Sequence, residues 1–135
     1  MSGRINSRNK GKVGERDACA FMAERTGLAW RRTAQVRGHT DGAADIEPCT
    51  PDLIWSRIHV EVKRTETIGL NTKELEAACE QAERDASDKP WVVLWRGSRA
   101  KWMLTMRVMG RTIHTGCPRA AAFFLLDLSG RLLPT

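Results

Sequence analysis

PDLIWSRIHVEVKR, residues 51–64, is the stretch of this chain that decides its fold. A turn at residues 56–57 predicts a β-hairpin in which Asp52 lies directly opposite Glu61, with Cβ atoms roughly 4.5–5.5 Å apart. Side chains alternate along a strand, so Lys63 shares the face of Glu61. Two carboxylates this close repel each other unless a cation lies between them. The pattern therefore predicts a site for a hard divalent cation such as Mg²⁺.

The metal-site interpretation has alternatives. A Glu-x-Lys sequence is common, and the plain alternative is a surface strand that carries Glu61 and Lys63 without a site. Asp45, in the loop sequence GAADIEP, is a second candidate for the first acid, although Asp52 fits the hairpin register better. His59 lies on the same strand face and could contact phosphate, or could be a polar surface residue.

The charge of the chain indicates a polyanionic partner. Its 135 residues suffice for one domain with a modest core, and 22 Lys and Arg against 16 Asp and Glu give a net charge of +6. Basic side chains displace counterions from nucleic acid. They are concentrated in the first 40 residues, although they could also serve solubility alone. The predicted DNA-binding side chains are Arg4, Arg8, Lys10, Lys12, Arg37 and Arg64.

Composition also excludes several classes of protein. The four cysteines show no paired metal-ligand spacing, which argues against zinc. No signal peptide and no apolar run of membrane-spanning length appear, so we expect a cytoplasmic protein without a membrane partner. The polar segment 1–11 predicts a flexible basic arm, and residues 12–135 a single domain.

The periodicity of the remaining chain predicts an α/β fold. In chain order, the predicted elements are a helix over 12–26 that ends at Gly27, a strand over 30–37, a loop over 38–50, the hairpin, a helix over 72–87 with a capping box of Asn71 and Glu74, strands over 91–96 and 102–108, and a strand or short helix over 120–128. The second helix can connect adjacent strands as a crossover, so a mixed β-sheet flanked by helices follows.

Together, Asp52, Glu61 and Lys63, with Glu15 in KGKVGERDACAF and Gln81 in LEAACEQAERDA, resemble the motifs of the PD-(D/E)xK nuclease superfamily, which has the restriction-endonuclease-like fold. The resemblance covers roughly residues 8–108. The first helix resembles that of archaeal Holliday-junction resolvases. The segment from HVEVKR through QAERDA to KWMLTM is similar to small phage-encoded nucleases, which would place the protein in the cytoplasm of the host cell.

The resemblance implies roles for individual residues. It implies Mg²⁺, with Mn²⁺ as a substitute, held by Asp52, Glu61 and the backbone carbonyl of Val62, with Lys63 positioning or activating the attacking water. It further implies Glu15 as an additional ligand of the metal or of water, and Gln81 as an auxiliary polar residue. Taken alone, Glu15 could equally be a first-turn acid that complements the helix dipole.

These observations favour a metal-dependent DNA endonuclease that acts on branched duplex. The alternatives are a nicking or restriction-type nuclease on plain duplex, and a catalytically inactive DNA-binding module of the same fold. Because symmetric cleavage of a branched duplex requires two active sites, we expect a homodimer. The apolar residues that suggest its interface are Trp91, Trp95, Trp102, Phe123, Phe124, Leu125 and Leu126.

Overall fold

The computed structural model of the protein describes residues 7–34 and 42–127. Its helices are α1 Ser7–Thr26, α2 Lys73–Ala86 and α3 Pro118–Ala122. Its strands are β1 Trp30–Arg32, β2 Ile46–Pro48, β3 His59–Arg64, β4 Trp91–Arg96, β5 Met103–Val108 and β6 Arg111–Thr115. A single 3₁₀ turn at Trp55–Arg57 precedes β3, and a π-helical turn at Phe123–Asp127 follows α3.

The strands form a mixed sheet and a separate short ribbon. The sheet has the order β3-β4-β5-β6, and β1 pairs with β2 antiparallel. β3 and β4 are parallel, whereas β4, β5 and β6 are successively antiparallel. Parallel neighbours need a crossover connection, and α2 supplies it. The predicted architecture, a mixed sheet flanked by helices with the second helix as a crossover, is confirmed.

Apolar residues on both faces of the sheet hold the helices in place. On one face Val60 and Leu94 pack in a core with Ala18 and Met22 of α1. On the other face, the α2 side chains Leu75, Ala78, Cys79, Ala82 and Ala86 pack with Trp91, Val93 and Trp95. β3 is thus an edge strand enclosed between two helices, and only its outer edge is left for other groups.

The predicted hairpin is wrong. Asp52 does not extend into a strand opposite Glu61, because its carboxylate accepts hydrogen bonds from the backbone N–H groups of Ile54 (3.0 Å) and Trp55 (2.8 Å). The Asp52 N–H in turn donates to Ser56 Oγ at 2.8 Å. A short polar side chain that binds nearby backbone in this way competes with strand pairing. Residues 52–57 therefore form a capped turn, and β3 pairs with β4 instead.

Several boundaries differ from the prediction. α1 begins at Ser7 rather than at Lys12, so residues 7–11 of the predicted arm are helical and residues 1–6 lie outside the described residues. The strand from Trp30 ends at Arg32, and residues 35–41 are also outside the described residues. The predicted loop 38–50 contains β2, and β6 lies in a segment for which no element is predicted.

Helix α2 is confirmed, but with a different cap. Thr72, not Asn71, is the N-cap, and its hydroxyl accepts a hydrogen bond from the Leu75 N–H. Asn71 has a positive φ of 65°, which is incompatible with the extended backbone of a cap. Glu74 binds the hydroxyls of Thr65 and Thr67 instead of closing a capping box.

The apolar residues that suggested a dimer interface mostly belong to the monomer. Trp91, Trp95, Trp102, Leu125 and Leu126 are buried in the core of one chain, and Phe124 is partly buried against it. Phe123 differs from them, because 51% of its surface is exposed. The buried residues of this set therefore give no argument for an interface, and the homodimer stays a prediction.

Candidate active site

Asp45 lies at the outer edge of β3. Its N–H donates to the Val60 carbonyl at 3.0 Å, and its own carbonyl accepts from the Thr33 N–H at 3.0 Å. The Asp45 carboxylate accepts a hydrogen bond from the Val62 N–H at 2.8 Å. The residue immediately before β2 is thus fixed beside β3 by backbone and side chain together, and it occupies the position at which Asp52 was expected.

Glu61 lies against Asp45 from within β3. It is buried, and one of its carboxylate oxygens is 2.7 Å from His59 Nε2. Burial and the nearby charge of Glu61 raise the pKa of Asp45 to about 8, with a smaller contribution from Glu15 and against the opposing effect of the Val62 N–H. A carboxyl group is disfavoured as an anion both by desolvation and by a like charge. The edge of β3 therefore holds two acids that repel each other when both are ionised.

Glu15 reaches the same place from α1. Its carboxylate accepts a hydrogen bond from Arg32 Nε at 2.9 Å, and the Arg32 side chain is 9% exposed. A buried guanidinium needs an acidic partner, since an unpaired buried charge is costly. This ion pair fixes Glu15 close enough to Asp45 to affect the pKa of Asp45.

Two further groups of β3 are relevant to the site, the carbonyl of Val62 and the side chain of Lys63. The N–H and C=O of one strand residue point to the same side, so the Val62 carbonyl points to the edge that holds Asp45. Lys63 follows on the face of Glu61 and is exposed. Hydrogen bonds from Thr67 and Thr65 lower the pKa of Glu74, with a smaller contribution from the charge of Lys63, which places that ammonium group near the first turn of α2.

These donors fit a divalent cation. Asp45 and Glu61 offer carboxylate oxygens, and Val62 offers a carbonyl oxygen, which are the ligands that Mg²⁺ and Mn²⁺ prefer. Burial, and after it the charge of Glu61, raises the pKa of Asp45, and a cation bound between the two carboxylates would offset the repulsion between them. Asp45, Glu61 and the Val62 carbonyl would hold the ion.

The remaining predicted site residues have different environments. Asp52 caps its own turn, as described above. Gln81 is exposed on α2, one helical turn before Asp85, and its auxiliary role stays a prediction. Of the predicted DNA-binding residues, Lys12 is exposed on α1. Arg64 forms an ion pair with Asp17 at 2.7 Å.

The other predicted DNA contacts are not described. Arg4 and Arg37 lie outside the described residues. The backbone of Arg8 and Lys10 belongs to α1, but their side chains are outside the description.

Three site residues were missed or given the wrong environment. His59 is not a surface residue, because it is only 3% exposed and binds Glu61. Asp85 of α2 has a carboxylate oxygen within 4.8 Å of ligand atoms of both His59 and Glu61. The sequence feature that could have identified Asp85 is its position three residues after Ala82, beside the apolar stripe of α2. Arg32 could have been found from its predicted alternation with Trp30, which placed both side chains on one face.

An edge strand with a Glu-x-Lys motif, a second acid fixed beside it and a third acid from the first helix define a nuclease of the PD-(D/E)xK class. Residues 6–120 match the model of a family described as "Phage putative PDDEXK endonuclease". The match spans most of the chain, and the chain belongs to this family.

Comparison with solved structures finds similarity to Hjc of Archaeoglobus fulgidus, a Holliday junction resolvase from an archaeal hyperthermophile. The two share 17% sequence identity with a TM-score of 0.45, over 77% of this chain and 86% of that chain. None of the curated proteins compared with the chain matches it. Among the described helices, none is long and apolar enough to cross a membrane.

Proposed function

We propose that the protein is a divalent-metal-dependent DNA endonuclease that cleaves branched duplex, with Asp45, Glu61 and the Val62 carbonyl as metal ligands. The observation that carries this proposal is the hydrogen bond from the Val62 N–H to the Asp45 carboxylate. It joins the loop acid to the strand of the Glu-x-Lys motif at the edge where the Val62 carbonyl emerges. Asp45 therefore replaces Asp52 as the proposed first acid.

Phosphodiester hydrolysis places negative charge on the phosphate oxygens and on the leaving oxygen. A bound divalent cation supplies stabilisation of that charge and lowers the pKa of coordinated water. Asp45 and Glu61 would hold the cation. The 2.7 Å contact with His59 Nε2 fixes the orientation of the Glu61 carboxylate. Arg32 does the same for Glu15.

Lys63 is the proposed catalytic cation of the chain. It is exposed and lies two residues after Glu61 on the same strand face, where it can contact the scissile phosphate or the attacking water. Glu74 of α2 is held by Thr65 and Thr67, and the Lys63 ammonium lies close enough to affect the pKa of Glu74 without a direct ion pair between them. A preorganised charge of this kind stabilises a transition state at little reorganisation cost.

Branched duplex is the proposed substrate because the helix sequence KGKVGER, residues 10–16, resembles that of Holliday-junction resolvases. The basic charge of the chain supports DNA in general. A homodimer belongs to the same proposal, since the two strands of a junction must both be cut. Sedimentation at micromolar concentration tests the dimer, and a monomer in the presence of junction DNA would contradict it.

The deciding experiment compares cleavage of a four-way junction with cleavage of a linear duplex of the same sequence in Mg²⁺. Asp45→Asn keeps the size and a hydrogen-bond acceptor for the Val62 N–H but removes the charge, and it should abolish cleavage. Asp52→Asn is the matched control, because it also keeps an acceptor for its turn and should cleave normally. Equal cleavage of both DNAs would instead indicate a nuclease of plain duplex, and DNA binding without cleavage an inactive module.

A further inference from the structure

At the carboxyl ends of β3 and β4 lies a groove of about 330 Å³ that the site described above does not use. Three arginines line it: Arg64, Arg96 and Arg99. Val13 of α1 forms part of the opposite wall. The groove is therefore bounded by α1 on one side and by the turn after β4 on the other.

The strand register brings two of these arginines together. Arg64 and Arg96 are directly paired in the parallel ladder, so their side chains leave the sheet on the same face. Strands lie about 4.8 Å apart in a sheet, and two like charges at that spacing repel. Asp17 neutralises Arg64 at 2.7 Å. Within residues 7–34 and 42–127, neither Arg96 nor Arg99 forms an ion pair, although the acid Glu66 also lines the groove.

The turn that carries Arg99 is fixed rather than loose. A Cβ atom on Gly97 would lie 2.5 Å from the Ile68 carbonyl oxygen, so this position requires glycine. The Ser98 N–H donates to the Glu66 carbonyl, which ties the turn to the segment that follows β3. Groups that are held in place before binding lose less entropy when a ligand arrives.

Arg99 itself has an unfavourable backbone conformation. Its φ is +56°, in the left-handed region where glycine and asparagine are normally found. An arginine there is less stable than a glycine would be. A costly backbone conformation that persists is a reason to look for function in the side chain.

We infer that this groove is a phosphate-binding site for the DNA backbone beside the scissile bond, with Arg96 and Arg99 as its phosphate contacts. Arg64 lies two residues after Val62, about 7 Å along the strand at 3.3 Å per residue. That distance corresponds to a rise of about two nucleotides along the axis of a B-form helix, at about 3.4 Å each. Phosphates on one side of a DNA strand bound at Asp45 and Glu61 therefore reach the groove. The inference rests on the proposed function for its ligand, but not on catalysis.

The test is the salt dependence of binding to a fluorescently labelled linear duplex, measured by anisotropy in EDTA so that no cleavage occurs. Each lost phosphate contact lowers the log–log slope by about 0.9. Arg99→Gly and Arg96→Gln should each lower it by that amount, and the double variant by about twice as much. Arg99→Gly should melt at the same temperature as the wild type or higher, because glycine accepts a positive φ. Arg99→Lys should keep the slope.

Arg111→Gln is the matched control. Arg111 is exposed and begins β6, which runs parallel to β4 at the other edge of the sheet, so it lies at the opposite end of the strands. Its replacement should leave the slope unchanged. An unchanged slope in the Arg96 and Arg99 double variant, or an equal fall in the Arg111 variant, would overturn the inference.

Cleavage measurements separate this inference from the proposed function. At subsaturating DNA in Mg²⁺, the double variant should cleave more slowly than the wild type and the Arg111 variant, because it has lost two phosphate contacts. A wild type that fails to cleave, combined with the expected fall in slope, would refute the endonuclease and keep the groove. Cleavage by the wild type together with an unchanged slope in the double variant would support the endonuclease and refute the groove.

Discussion

Replacing Asp45 by asparagine should stabilise the metal-free protein while it abolishes cleavage. The folded state raises the pKa of Asp45 from 3.8 to about 8, mainly through burial and the charge of Glu61. Between pH 3.8 and about pH 8, the Asp45 carboxyl group keeps its proton in the folded chain and loses it in the unfolded chain. The free energy of unfolding therefore falls as pH rises through this window, and the loss is complete above about pH 8.

The magnitude follows from the size of the shift. Each pKa unit corresponds to about 1.36 kcal/mol, so the roughly three units between 3.8 and pH 7 set an upper limit of about 4 kcal/mol. Relaxation and entry of water reduce such penalties. We expect about 1–3 kcal/mol, which corresponds to about 4–12 °C in melting temperature for a domain of this size.

The assay is thermal unfolding in EDTA from pH 4 to pH 8. The Asp45→Asn variant should melt close to the wild type near pH 4 and above it at pH 7 and 8. Asp52→Asn should follow the wild type throughout, since asparagine still accepts the N–H groups of its turn. In a second series with Mg²⁺ and no EDTA, the melting temperature of the wild type should rise but that of the Asp45 variant should not, because a ligand stabilises only the state that binds it. If the Asp45 variant follows the wild type at every pH, Asp45 is not buried against Glu61.

Four further results are expected. Glu61→Gln should abolish cleavage in Mg²⁺ without loss of DNA binding, since it removes negative charge beside the phosphate; cleavage at the wild-type rate would place the site elsewhere. Lys63→Ala should lower turnover about 10²-fold or more at unchanged affinity, and a parallel loss of affinity would make it a plain phosphate contact. Arg32→Gln should destabilise the fold by about 2–3 kcal/mol in urea unfolding, because it leaves Glu15 without its partner; an unchanged midpoint would contradict a buried ion pair. Deleting residues 1–6 should lower the salt slope of DNA binding by up to about 0.9 through the loss of Arg4, and an unchanged slope would remove the arm from the interface.

The elements that could be predicted from the sequence are those with local signals. α2 has an apolar stripe with period 3.6 and a proline after its end. β4 is a continuous apolar run, as expected of a strand buried on both faces. Glu61 and Lys63 share a face because strand alternation is local. The burial of His59 was not predicted, since it depends on α2 and β4, which cover that face from a distance in the chain.

The first acid was misplaced for a physical reason. The pairing of Asp52 with Glu61 required a hairpin, but Asp52 gains two backbone hydrogen bonds at once by capping its turn. Asp45 reaches β3 only because the ribbon of β1 and β2 positions it there, a contact between segments that share no sequence period. The hydrophobic pattern predicts β3, the strand of the site. Backbone pairing between distant segments decides that Asp45, rather than Asp52, lies beside it.

The bond between Asp45 and the Val62 N–H also bears on solubility. β3 is the outer strand of its sheet, and a bare outer strand offers free donors and acceptors to any passing chain. Here the Val60 carbonyl and the Val62 N–H are already taken by Asp45. The proposed ligand thus also blocks strand addition by other molecules. Replacement by alanine, which cannot accept the Val62 N–H, would leave that donor open to β-aggregation, whereas asparagine keeps it covered.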